Sequence, residues 1–284
     1  MNALPVRTIA LSLFLAPALA SQPPAAPAIG QPNPQATPEP ARAENTPPTA
    51  ADRLAASAKV YAEARTYRDE GLIVDEMQVQ GGTITSKLSF ETAFERGGRF
   101  RWQCRHSAVP GAAPGQRYTL WSADGEAFNS FWTLTGDQKG AQTLDTALAG
   151  PTCISSGAAT AIIPMLGVSK ADARWGGRTT DIEDPADKGK ETTDGVQCWK
   201  IEGTERFSDG KVTLWIDEAG LVRKIRQERS IETARLLNGA EPGEPPVPKF
   251  ATTTTITIKP VINEAKIDDA KFTPDEKNAD GPEK

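Results

Sequence analysis

The sequence predicts a mainly β domain of the α+β class, in which a long antiparallel meander carries one amino-terminal helix and an apolar helical insertion. Three observations predict it. Apolar residues recur at every second position through several segments, Gly-containing turn dipeptides separate those segments, and one stretch near the middle is apolar without a two-residue period. The chain has 284 residues, enough for one large domain or two small ones.

The first twenty residues read as a secretory signal peptide. Arg7 is followed by the apolar run Ile9–Leu15 and by the small residues Ala18-Leu19-Ala20, which places cleavage near Ala20 and the mature chain in the periplasm or outside the cell. The apolar stretch falls short of the ~20 residues that span a bilayer as a helix. Residues 21–50 are rich in Pro, Ala, Gln and Thr and nearly free of large apolar side chains, so they are expected to form a disordered linker, either a spacer or an unselected tail. The folded domain is expected over residues 51–276, and residues 277–284 form a charged tail.

Asp52 is the expected N-cap of a short helix whose stripe is Leu54, Ala58, Tyr61 and Ala62, ending before Gly71. From there the period is two. Ile84, Leu88, Phe90 and Phe94 alternate with Thr85, Lys87, Ser89 and Glu91. Phe100, Trp102 and Cys104 alternate with Arg99, Arg101, Gln103 and Arg105, and Gly97-Gly98 before them permits a tight turn. Further strands are expected at Leu72–Val79, Tyr118–Ser122, Ala127–Trp132, Gln197–Glu202, Val212–Asp217, Leu221–Ile231 and Phe250–Ile258. The dipeptides Asp124-Gly125, Asp194-Gly195, Asp209-Gly210 and Ala219-Gly220 mark turns between them. Thr143–Leu148 and Ala158–Leu166 read as two short apolar helices around breaks at Gly150-Pro151 and Ser155-Ser156-Gly157. Residues 235–249 form a Pro/Gly-rich loop.

Net charge is −5, which argues against nucleic acid as a partner. His106 is the sole histidine, no Gly-x-Ser-x-Gly elbow or Cys-x-x-Cys pair is present, and neither catalysis nor a metal site or cofactor is expected. Asp181, Glu183, Asp184, Asp187, Glu191 and Asp194 lack the regular spacing of a calcium loop and read as a solvated acidic loop. Three cysteines allow at most one internal bridge. The pairing stays open, with Cys153–Cys198 the expected one and Cys104 a buried thiol.

Four segments carry a family resemblance. "FERGGRFRW" (Phe94–Trp102) is similar to a strand–arginine–turn–strand unit, "YTLWSADGEAFNSFW" (Tyr118–Trp132) to the hairpin after it, "VTLWIDEAGLVRKIRQE" (Val212–Glu228) to a late hairpin, and "IDDAKFTP" (Ile267–Pro274) to a closing segment. In that order they resemble the LolA-like family of periplasmic lipoprotein-carrier proteins, in a divergent form. Gly97 stands where the family pattern has proline, and the linker, the 235–249 loop and the cysteines are additional. The resemblance implies an incomplete antiparallel β-barrel closed by short helices around an apolar cavity that accepts acyl chains. It places Arg96 at the family's functional arginine, touching ligand or helical lid at the cavity mouth. The candidate lining is then Phe90, Phe94, Phe100, Trp102 and Tyr118 from the sheet, with Ile162, Ile163, Met165 and Leu166 from the lid. A tightly packed lid would make the same residues an ordinary core. The expected partner is a lipid or the acyl chain of a lipoprotein, with another envelope protein as the alternative. In that alternative, Arg99, Arg101 and Arg105 form a solvated docking face.

Overall fold

A computed structural model describes residues 47–79, 81–106, 116–168, 179–205, 210–232, 249–264 and 266–273. The expected signal peptide, nearly all of the linker, most of the 235–249 loop and the tail lie outside the described residues.

Helix α1 covers Ala50–Glu63. Its N-cap is Thr49 rather than Asp52, because the two form a capping box. The Asp52 N–H donates to Thr49 Oγ1 at 3.2 Å, and the Thr49 N–H donates to Asp52 Oδ2 at 2.9 Å. The pairing also holds the Asp52 carboxyl below the usual range. Thr49→Ala removes this cap and is expected to cost about 1 kcal/mol of unfolding free energy, read from the urea midpoint. The buried stripe is Ala50, Leu54, Ser57 and Tyr61, whereas Ala62 is exposed. Ser57 belongs to it because its hydroxyl donates to the Gly220 carbonyl at 2.7 Å, and Tyr61 because its hydroxyl accepts from the Val222 N–H at 3.0 Å.

The strands are β1 Thr66–Val79, β2 Gly82–Glu95, β3 Arg99–His106, β4 Arg117–Ser122, β5 Phe128–Trp132, β6 Asp137–Gln142, β7 Ile182–Thr193, β8 Val196–Glu205, β9 Lys211–Asp217, β10 Val222–Glu232, β11 Lys249–Ile258 and β12 Val261–Ile262. They form one sheet in the order β6-β5-β4-β3-β2-β1-β11-β10-β9-β8-β7, with β12 paired to β1. Every ladder is antiparallel. Strand β1 closes the chain on itself by pairing with both β2 and β11. The order begins at β6 and ends at β7, so the sheet is an incomplete barrel with two margins.

Two expectations do not hold. The acidic stretch is strand β7, not a loop: it pairs with β8 through two register shifts, between Glu183 and Ala186 and between Asp187 and Lys190. Most residues of this margin strand are exposed, so its sequence shows no apolar alternation. Ile84, on the apolar parity of β2, is 55% exposed, because the β1–β2 hairpin runs fourteen pairs and outreaches the helices that cover this face.

Helix α2 covers Leu144–Ile154 and α3 Ala158–Ile162, followed by a 3-10 turn at Ile163–Leu166. Helix α2 runs through the expected Gly150-Pro151 break. Pro151 lies within it, and glycine is needed at 150 because a Cβ there would stand 2.7 Å from the Tyr118 hydroxyl. The second break holds, with Gly157 at φ +92° starting α3.

One face of the sheet carries Tyr67, Ile73, Leu88, Phe90, Phe94, Phe100, Trp102, Cys104, Tyr118, Leu120 and Phe128, all in a single apolar cluster with Leu54 and Tyr61 of α1, Leu148 of α2 and Ile162 of α3. Covering this face is what holds the helices down, at ~1.5–3 kcal/mol for each large side chain removed from water.

Candidate functional site

The site is built where the roof meets the β2–β3 turn. Strand β2 ends at Glu95, and Gly97 and Gly98 follow Arg96 with φ of +118° and +125°. Such angles are open to glycine and closed to proline, whose ring fixes φ near −65°, which is the physical reason that proline does not stand at 97. The Arg96 N–H donates to the Arg65 carbonyl at 2.7 Å and fixes the turn against the segment after α1.

The Arg96 side chain reaches back to the roof. Its Nε donates to the Ala64 carbonyl at 2.8 Å, and its Nη2 donates to the carbonyls of Tyr61 at 3.3 Å and Leu166 at 3.2 Å. The guanidinium also lies 5.3 Å from the Phe94 ring centroid. Tyr61 and Ala64 bring carbonyls from the C-terminal end of α1, that of Tyr61 also accepting from the Ala64 N–H at 3.3 Å, and the negative end of the helix dipole favours a cation there. One side chain therefore ties the end of α1 to the end of the 3-10 turn. Gly98 and Gly125 complete the junction: a Cβ on Gly125 would stand 3.0 Å from the Val168 carbonyl and 3.2 Å from Gly98 Cα.

Phe90, Phe94, Phe100, Trp102 and Tyr118 face this roof, and Ile162, Ile163, Met165 and Leu166 face the sheet. All are at most 7% exposed. Phe100 and Phe128 meet edge to face at 6.2 Å. The structure thus brings the expected lining residues together, packed against one another. Its larger hollows are elsewhere. One of about 620 Å³ is lined by Glu70, Leu72, Glu91, Arg105, Asp194 and Lys259 among others, with Phe90 as the one expected lining residue on its wall. Another of about 400 Å³ lies between Leu54 and Ala55 of α1 and Ile182 and Pro185 of β7.

The solvated arginine face is not what the structure shows. Arg101 is only 4% exposed, with Nη1 donating to Glu91 Oε1 at 2.9 Å and to the Lys271 carbonyl at 3.3 Å. Arg99 is clamped between Glu95 and Asp269, with its guanidinium 4.4 Å from the Phe272 ring. The closing segment covers both, so of the three arginines only Arg105 stays exposed.

The expected Cys153–Cys198 bridge is not formed, and all three cysteines are free. Cys153 is exposed on α2, while Cys198 is buried on β8. Cys104 is a buried thiol as expected, and burial pushes its pKa up to about 12. Burial lowers the pKa of the half-buried His106, and Ser107 beside it lies outside the described residues. No group of three or more metal-ligating side chains occurs among the described residues.

Sequence reasoning missed a polar group on the apolar face. Asp69 shares the parity of Tyr67 and Ile73 on β1 and is 3% exposed. Tyr67 Oη donates to its Oδ2 at 2.6 Å, and Thr92 stands beside the carboxyl as its cross-strand neighbour on β2. Burial raises the pKa of this carboxyl to about 6, against the opposing effect of its polar neighbours Tyr67 and Thr92. The signal was available in the alternation Tyr67-Asp69-Gly71-Ile73, which a strand begun at Leu72 hides.

No family model and no curated protein sequence matches the chain. Solved structures similar to it include a LolA superfamily protein from Nitrosomonas europaea, 12% identical over 81% of this chain and 99% of that one with a TM-score of 0.30. LprF from Mycobacterium bovis is 10% identical over 74% and 91%, with a TM-score of 0.38. A DUF1329 family protein from Desulfovibrio piger is 13% identical over 79% and 95%, with a TM-score of 0.33. These likenesses are distant and concern the arrangement of strands and helices alone. The fold itself is an incomplete antiparallel barrel, roofed on its apolar face by short helices.

Proposed function

We propose that this chain is an exported acyl-chain-binding protein, a carrier or sensor of a lipid or of the acyl chain of a lipoprotein, whose roof is closed in this structure. It acts by binding and not by catalysis. The observation that carries the reading is the Arg96 latch, which holds two roof elements over an aromatic sheet face through main-chain carbonyls alone. Main-chain hydrogen bonds to one exposed-edge cation can be exchanged for water, and the roof side chains over the aromatics are mostly Ala, Ile, Leu and Met, which slide without breaking polar contacts. An acyl chain then replaces roof side chains against Phe90, Phe94, Phe100, Trp102 and Tyr118. No described helix is long and apolar enough to cross a membrane.

Delipidated protein titrated with dansyl-undecanoic acid is expected to show saturable fluorescence enhancement. Arg96→Leu keeps the aliphatic stem and removes the latch, and is expected to speed probe association about tenfold, the effect of losing one charge-assisted hydrogen bond. Enhancement that never saturates overturns the binding reading. An unchanged association rate overturns the latch.

A further inference from the structure

The hollow of about 400 Å³ between α1 and β7 is the size of a small-ligand site, which spans ~300–1,000 Å³. Ala51, Ala55 and Ala58 of α1 line one wall. Their i, i+4, i+7 spacing sets them in one stripe about 10 Å long, and side chains no larger than a methyl group leave a channel along it. Ile182 and Pro185 of β7 line the other wall. Leu54, a member of the apolar cluster of the sheet face, also borders the channel. One polar group there is unmet. Thr180, just before β7, lines the hollow, is 7% exposed, and its Oγ1 makes no hydrogen bond. Its neighbour is fixed, since the Thr179 hydroxyl donates to the Ala161 carbonyl of α3. A buried hydroxyl without a partner marks a place where one is missing.

Three properties define the occupant. The walls are aliphatic, and the described lining residues include no aromatic ring and no lysine or arginine. Asp181 and Glu183 stand at the exposed edge of the channel. Arg53 of α1 is engaged elsewhere, with its guanidinium 3.6 Å from the Trp199 ring centroid and its Nε 3.6 Å from Asp187 Oδ2. The edge is therefore negative and favours a cation over an anion. The Thr180 hydroxyl accepts from any N–H that reaches it. A primary ammonium meets both demands with one nitrogen, because it is cationic and carries three donors. A quaternary ammonium meets only the first, and a carboxylate meets neither.

We propose that this channel is a second binding site, for an alkylamine: an amphiphile with an aliphatic tail and a primary ammonium head. The tail lies between the alanine stripe and Ile182 and Pro185. The head donates to Thr180 Oγ1 and is drawn in by Asp181 and Glu183. The channel follows the first half of α1, whereas Arg96 holds the other end of that helix through the carbonyls of Tyr61 and Ala64. The site therefore goes beyond the acyl-binding reading and does not need the roof to open. A single-chain lipid with an ethanolamine head shares the ammonium but adds a phosphate, which the carboxylates at the edge disfavour.

The test is calorimetric titration of the full mature chain at pH 7, where an alkylamine is protonated, with decylammonium, decyltrimethylammonium and decanoate, each below its micelle concentration. Decylammonium is expected to saturate one site and to bind about tenfold tighter than decyltrimethylammonium, the equivalent of one good hydrogen bond, with decanoate weaker than both. Thr180→Val keeps the shape, removes the hydroxyl and is expected to bring the two cations to within about twofold of each other. Ala55→Leu, at an exposed helical position, fills the channel and is expected to weaken decylammonium about tenfold or more. Each variant is checked for a cooperative thermal transition, and either suffices if the other does not fold. Lysophosphatidylethanolamine is expected to bind more weakly than decylammonium, and tighter binding overturns the free-amine assignment. Absence of saturable decylammonium binding overturns the site and leaves the acyl-binding reading intact. Decanoate binding as tightly as decylammonium overturns the head group. A preference that survives in folded Thr180→Val, or an affinity unchanged in folded Ala55→Leu, overturns the placement. Decylammonium is expected to bind alongside dansyl-undecanoic acid, and competition between them overturns a separate site.

Discussion

Gly98→Ala is expected to lower the unfolding free energy by roughly 2–6 kcal/mol, a large part of the stability of an ordinary domain. Two costs add. The residue sits at φ +125°, a conformation in which an L side chain is strained by ~1–3 kcal/mol. A methyl group there would also stand 2.2 Å from the carbonyl carbon and oxygen of Asp124, and these are main-chain atoms that cannot swing aside. Forcing them apart costs another ~1–3 kcal/mol. Gly97 supplies the control, because at φ +118° it has the same backbone strain but no atom within 4 Å of an added Cβ. Gly97→Ala is therefore expected to lose only the first part. Urea midpoints with unchanged m-values separate the two, and equal losses in both variants would show that the β2–β3 and β4–β5 turns part freely.

The second large effect depends on pH. The Asp69 carboxyl is raised to about 6 in the folded chain from an ordinary value of 3.8, and burial is the main cause. The folded state therefore holds the proton more tightly than the unfolded one. The stability this contributes is fully present below pH 3.8 and is lost as pH rises through about 6, where the buried group ionises. A carboxyl displaced this far carries ~3 kcal/mol of difference between its protonated and ionised forms. Asp69→Asn stays neutral throughout and is expected to be more stable than the wild type by up to ~3 kcal/mol at pH 8, with the gain shrinking toward zero by pH 4. Paired urea melts at pH 4, 6 and 8 measure it, and a difference that does not vary with pH would rule out titration at this position.

Much of the sheet was legible because one face of it is buried. In β2 and β3 most inward positions are apolar, and Phe90, Phe94, Phe100 and Trp102 took the inward positions that their parity assigns. Strand β7 was not legible, since a margin strand with most of its residues exposed leaves no period to read. Arg101 shows a different limit. Its parity correctly places it on the face opposite Trp102, but parity does not say that the Lys271 segment, 170 positions away, folds over it. The cap of α1 failed for a local reason, because Thr49 and Asp52 are both good caps and only the reciprocal hydrogen bonds tell which of them leads. The Arg96 latch could be anticipated only through the family resemblance, since no rule of spacing tells a latch from a solvated arginine beside a turn.

An incomplete barrel has two unpaired margins, and an unpaired margin invites a second copy of the chain to add its own strand. At the β7 margin the sequence makes that invitation hard to accept. Pro185 removes a donor, two register shifts bend the strand, and Glu183, Asp187, Lys188, Lys190 and Glu191 crowd it with charge. The β7 margin is thus kept from becoming a ready template for edge-to-edge pairing of two copies.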